Sequence, residues 1–213
     1  MVTVREPVLH TVPIAELRPT QITVGMREVQ AKQKSWEEQD PDKKAEFLGR
    51  HMIPVIRGPK DRLYVIDHHH LSLALHNEGV EKLHVTPVAD LRNLADDEFW
   101  TYLDNRSWVH PYDASGRRRD FDEIPKKISG LKDDPFRSVA GELRRIGGFA
   151  KDTTPFSEFL WADFMRRRIS KSLAKDDFDK AMKQAMKLAK SEEASYLPGW
   201  CGPHVDHHVD HHA

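Results

Sequence analysis

The stretch Arg62–Leu75, RLYVIDHHHLSLAL, decides the fold. Leu63, Tyr64, Val65 and Ile66 form a short β-branched and aromatic run with the composition of a buried strand. Asp67 ends it and three histidines follow. Leu71, Leu73, Ala74 and Leu75 then open a helix. Asp67–His70 therefore sit on a strand-to-helix corner. A helix N-terminus presents unpaired backbone N–H groups and the positive end of the helix dipole, so anions settle there. Imidazoles at that corner add proton transfer and, once protonated, positive charge. The same residues also fit a purely structural corner, with Asp67 as an N-cap and the histidines as polar turn residues. A three-histidine zinc site fits less well. His68 and His70 alternate in direction if extended, and His69 is at helical spacing from neither.

Working outward, Met52–Ile56 is a second apolar run. Gly58-Pro59-Lys60-Asp61 joins it to the central strand as a hairpin. Upstream, Val8–Val12 reads as a first strand ended by Pro13, and Arg18–Gln21 is extended because Pro19 disfavours helix just before it. Thr23-Val24-Gly25 leads into a polar helix, Arg27 to about Gln39. On it Glu28 and Lys32 share a face, an arrangement that also serves as a solvated ion pair. Lys43–Gly49 is a second short helix. Downstream, the corner helix stops near Asn77-Glu78-Gly79, and His84–Val88 returns as a strand. These elements predict one α+β domain over residues 1–92.

From residue 93 to 195 the pattern is helical. Asp96 caps a helix carrying Phe99, Trp100 and Leu103. Asp134-Pro135 is an N-cap followed by N1. Phe156, Phe159, Leu160, Phe164 and Met165 form an apolar stripe at helical spacing, which reads as core. The tail, residues 196–213, holds Val-Asp-His-His twice. There His204, His208 and His211 fall at helical spacing and could chelate zinc or nickel, although the tail reads first as disordered.

Composition narrows the function classes. The chain has 213 residues, 38% hydrophobic and 31% charged, with a net charge of −1. It has enough apolar residues for a core and is no polycation, so nucleic-acid binding would need a local basic patch. Arg117–Arg119 and Arg166–Arg168 are the two arginine runs; each is also an ordinary solvated face. Cys201 is the only cysteine, which excludes an intramolecular disulfide and points to a reducing compartment. No apolar run approaches membrane-spanning length, and the N-terminus lacks a signal-peptide pattern, so the expected location is the cytoplasm.

The corner and the order of elements resemble the ParB/sulfiredoxin superfamily, and within it the bacterial ParB-like nuclease group. The supporting pieces are Leu17-Arg18-Pro19-Thr20-Gln21, Val24-Gly25-Met26-Arg27-Glu28-Val29 and the Asp-His-His-His corner. Asp134–Ala140, Gly147–Lys151 and Phe156–Asp163 complete the set, so the resemblance spans about residues 8–170. It implies a ParB/sulfiredoxin-like domain with a small mixed sheet, followed by an all-helical part. It also implies a nucleotide phosphate at the corner, with chemistry that varies among members: kinase, nuclease, NTPase or nucleotide-gated DNA binding. This chain departs from the family pattern in three ways. His68 replaces a glycine, Leu71 replaces a phosphate-binding arginine, and the sulfiredoxin cysteine is missing. No helix-turn-helix reader of partition-protein type stands out.

On that resemblance, the expected function is nucleotide-dependent phosphate chemistry: an NTPase, a metal-dependent nuclease or a small-molecule kinase. The alternative is a nucleotide-binding, DNA-associated module without turnover. Glu28 is the expected general base, because related kinases carry a glutamate after the first strand. His68 and His69 would stabilise charge or shuttle a proton. Asp67 would orient an imidazole or hold Mg²⁺ or Mn²⁺ with ATP or another nucleotide. The backbone N–H groups of His69 and His70 and the Ser72 hydroxyl would hold phosphate oxygens. Gln21, Arg27 and Lys32 would line the opposite wall. DNA would be contacted through Arg117–Arg119 and Arg166–Arg168.

Overall fold

The structure is a computed structural model and describes residues 10–203. The strand expected from Val8 therefore begins outside the described residues, as do the tail histidines His204, His208 and His211. The chain divides into two compact units, with the break between Asp134 and Pro135.

The first unit is α+β. In chain order it contains β1 (His10–Pro13), β2 (Leu17–Pro19), β3 (Thr23–Val24), α1 (Met26–Glu37) and α2 (Pro41–Arg50). Then come β4 (Ile53–Gly58), β5 (Arg62–Val65), α3 (His69–Asn77), β6 (Lys82–Asp90), α4 (Asp96–Asn105) and β7 (Lys132–Asp133). Five strands form one curled mixed sheet in the order β1-β6-β4-β5-β2. The β4–β5 hairpin pairs antiparallel, with Gly58 opposite Arg62. β2 lies parallel to β5, with Arg18 opposite Tyr64 and Pro19 opposite Val65. β3 and β7 form a separate parallel pair.

Strand alternation sorts β5 between two cores. Val65 joins Leu17, Val29, Leu73 and Leu75 beneath α1 and α3. Tyr64 joins Ile56, Phe99, Leu103 and Ile124 beneath α4. The Phe99 stripe thus covers the opposite face of the sheet from the corner helix. Gly58 is required by that packing, because a Cβ there would stand 2.7 Å from both the Phe99 and Tyr64 rings.

The second unit is helical: α5 (Pro135–Arg145), α6 (Ser157–Arg166), α7 (Lys171–Asp176) and α8 (Phe178–Ala189). Its core is built on Trp161, Phe164, Met165, Val139 and Leu143. Trp161 stacks on Phe149 at 4.3 Å, and its indole N–H donates to the Pro198 carbonyl at 2.8 Å. Of the Phe156–Met165 stripe, Phe164 and Met165 are core, Phe156 and Phe159 are half-buried and Leu160 is exposed. Among the described residues no helix is long and apolar enough to cross a membrane.

Candidate functional site

The corner is built from Asp67 upward. The Asp67 carboxylate accepts the backbone N–H of His68 at 2.6 Å, which folds the chain back on itself. His68 adopts a left-handed conformation, φ 63° and ψ 28°, immediately before α3. L-residues enter that region at a cost of about 1 kcal/mol, which explains why glycine suits the position.

The three histidines then part company. His69 turns inward and is buried. Its Nε2 accepts the Thr20 backbone N–H at 3.2 Å, and the ring also bonds to the Val65 carbonyl. Thr20 Oγ1 donates to that same carbonyl at 2.8 Å, so β2, β5 and α3 are stapled together. Burial, reinforced by the neighbouring His70, pushes the His69 pKa down from 6.5 to about 3, against the pull of Asp67. His69 is a neutral fastener.

His70 is mostly covered and reaches sideways. Its Nε2 accepts the Gly25 backbone N–H at 3.0 Å, which ties the start of α3 to the start of α1. Glu28 Oε2 lies 3.5 Å from the same nitrogen. One nitrogen cannot offer a lone pair to Gly25 and a proton to Glu28 at once. The shorter bond assigns the lone pair to Nε2 and the ring proton to Nδ1. Glu28 is held from its other side by Lys32 at 3.4 Å. The outermost imidazole, His68, is exposed and stands 4.0 Å from Asp67 Oδ2.

Glu28, Lys32 and His70 are thus brought together, and Asp67 and His68 stand beside each other on the exposed turn. Other expected site residues lie elsewhere. The Ser72 hydroxyl is completely buried and has no hydrogen-bond partner among the described residues. Gln21 is buried and donates to the Thr23 carbonyl at 2.8 Å, shaping the loop between β2 and β3. Arg27 is on the exposed face of α1. Three participants went unread in the sequence: Thr20, the Gly25 N–H, and Asp133, whose carboxylate accepts the Met26 N–H at 3.0 Å. Only the composition of the loop before α1, rich in small and β-branched residues, hinted at so tight a segment.

Five of the six arginines in the two runs have a side-chain partner within their own unit. Arg118 pairs with Asp104, Arg119 with Asp113, Arg166 with Asp163 and Arg168 with Glu193, and Arg167 donates to the Asp163 carbonyl. No three His, Cys, Asp or Glu side chains gather around a metal position among the described residues. Asp67, three-quarters exposed, can still offer carboxylate oxygen. A divalent ion there would complete its shell with water and phosphate oxygens, a pattern that suits Mg²⁺.

This geometry meets a family pattern. The model of a family described as "putative ParB-like nuclease" matches residues 10–167. The chain belongs to that family. Among solved structures, protein Atu1540 from Agrobacterium tumefaciens is similar at 55% identity and a TM-score of 0.85. The match covers 92% of this chain and 99% of that one. A search of the curated proteins found no match. The ParB-like family pattern spans both units, from β1 to the end of α6.

Proposed function

We propose that this ParB-like module cleaves phosphoesters of a nucleotide or nucleic acid at the Asp67–His70 corner. The observation that supports this best is the meeting of two helix N-termini, tied by the Gly25–His70 bond, with the Glu28 carboxylate beside them. The head of α3 is a helix N-terminus, a setting that favours an anion. At the head of α1, by contrast, the Gly25 and Met26 N–H groups are already bonded to His70 and Asp133.

In this reading the His69 and His70 backbone N–H groups hold phosphate oxygens. Lys32, one helical turn on along α1, positions Glu28. Glu28 takes a proton from water, and the water oxygen bonds to phosphorus while the ester P–O bond breaks. The leaving oxygen takes its proton from the His68 ring, which is exposed to solvent. A divalent ion held by Asp67 would supply charge neutralisation on the phosphate. The His69 ring holds the frame, and only its backbone N–H meets the phosphate.

The experiment is cleavage of supercoiled plasmid and release of phosphate from ATP, CTP and GTP, with Mg²⁺, Mn²⁺ or EDTA. Glu28→Gln is expected to lower the rate about 100-fold or more. Asp67→Asn should remove the dependence on divalent ion. Wild-type rates in both variants would overturn the assignment. The hold that Lys32 exerts on Glu28 favours one second reading, binding without turnover. In that case nucleotides raise the melting temperature of the wild type while no product forms.

A further inference from the structure

Away from the corner, the first unit has two adjoining cavities of about 530 and 590 Å³. Neither is lined by Asp67, His68, His69 or His70. They meet at Arg18, Arg62 and Lys126, which line both. Arg18 lies opposite Tyr64 across the β2–β5 pair, and Arg62 is two residues before Tyr64 on β5. The two half-buried guanidiniums therefore share one face of the sheet as diagonal neighbours. Like charges so placed repel unless an anion joins them.

Arg18, Arg62, Lys126 and Lys127 have no ion-pair partner among the described residues. Asp96, whose carboxylate feels both Arg62 and Arg18, is bonded to Lys60 at 2.9 Å. Asp61 is taken by Arg57 at 2.7 Å. Glu16, Asp97 and Asp122 remain around the rims. On one side of this cationic ridge the wall is aromatic, with Trp100 stacked on Phe121 at 5.6 Å. On the other it is apolar, formed by Val12, Leu63, Val85 and Pro87.

We infer that this groove binds a short single-stranded nucleic acid, with phosphodiester groups on the Arg18–Arg62–Lys126 ridge and a base in each cavity. Concave, partly apolar cavities accept splayed bases and not paired ones. An aromatic wall beside a cationic track is the usual chemistry of single-strand recognition. The site is separate from the corner and does not depend on its reaction.

The test is fluorescence anisotropy of a labelled thymidine decamer with the full chain in EDTA, which keeps any cleavage out of the readout. Binding should weaken with salt, with a slope of log K on log salt near −2 for about three phosphate contacts. Arg18→Gln, Arg62→Gln and Lys126→Gln are each expected to weaken binding about tenfold. Each should also flatten the slope by about 0.7. Circular dichroism checks that the variants stay folded; Lys183→Gln, a cation of the second unit, should bind like the wild type. An equal loss in Lys183→Gln would reduce the effect to bulk charge and overturn the groove. Equal competition by thymidine monophosphate and by the decamer would overturn the strand and leave a mononucleotide site. Failure of any of these leaves the corner assignment untouched, since that rests on Glu28 and Asp67.

Discussion

Each unit buries an ionisable nitrogen side chain, His69 in the first and Arg137 in the second, and the two solve the problem in opposite ways. In the first unit His69 goes inside and gives up its charge. In the second, Arg137 is equally buried and keeps its charge. Its guanidinium lies 4.5 Å from the Phe159 ring centre and 2.8 Å from Glu158, off the line of its N–H groups. Glu158 also takes Arg144 at 2.7 Å. A neutral imidazole needs only two hydrogen bonds. A buried guanidinium needs a counter-charge, because guanidinium cannot lose its proton. One site is therefore sensitive to pH and the other to removal of a partner.

Removing the partner has the largest expected effect. Glu158→Gln leaves Arg137 charged and unpaired in the second unit, at a cost of about 3–5 kcal/mol in urea denaturation. Arg137→Met combined with Glu158→Leu should recover most of that stability, since a packed apolar pair avoids desolvation altogether. If the single and double variants are equally unstable, the ion pair is not what governs this site.

The pH response comes next. His69 has a folded pKa of about 3 against 6.5 unfolded. Between those values the unfolded chain binds the proton and the folded chain does not. The stabilisation is therefore complete above the unfolded value and is lost as pH falls through this window. The expected loss is about 1.4 kcal/mol per pH unit, or about 2 kcal/mol from pH 6.5 to pH 5. His69→Gln should abolish that part of the slope. Parallel stability curves for variant and wild type would show that the ring titrates as in the unfolded chain.

Much of the first unit was legible because its signals are local. The run Leu63–Ile66 alternates between two cores, the Gly58–Asp61 turn makes its hairpin, and α1, α2 and α3 form close to where their periods place them. The inner detail of the corner was not legible. Three consecutive histidines look alike in a sequence, and which ring turns inward depends on the left-handed step at His68. The partners that lock them are remote. Thr20 is 49 residues from His69, and Asp133 is 107 residues from the Met26 it caps. A lone threonine after a proline carries no mark of such a role. The Phe99 and Leu103 stripe says that a face is buried but not what buries it, and in the structure it lies against the sheet. Some partners of the arginine runs are also remote: Asp104 is 14 residues from Arg118 and Glu193 is 25 from Arg168.

The smallest stability effect carries the most about function, because it compares two neighbouring histidines with opposite tasks. His69 is held where its ring serves the frame. His68 occupies a backbone conformation that opposes any side chain, and its ring, 40% exposed, stands 4.0 Å from the Asp67 carboxylate. A residue kept against its own backbone preference is expected where the side chain acts on something outside the fold. His68→Gly should therefore leave stability unchanged or raise it by up to about 1 kcal/mol, because relief of the left-handed strain competes with glycine's greater unfolded-state entropy. The same variant should lower phosphoester cleavage about 100-fold, the contribution of a general acid. His68→Ala should lose the same activity without gaining the stability. A His68→Gly variant that cleaves at the wild-type rate would mean that the corner's chemistry, if it resides there, runs through Glu28 and Asp67 without an imidazole.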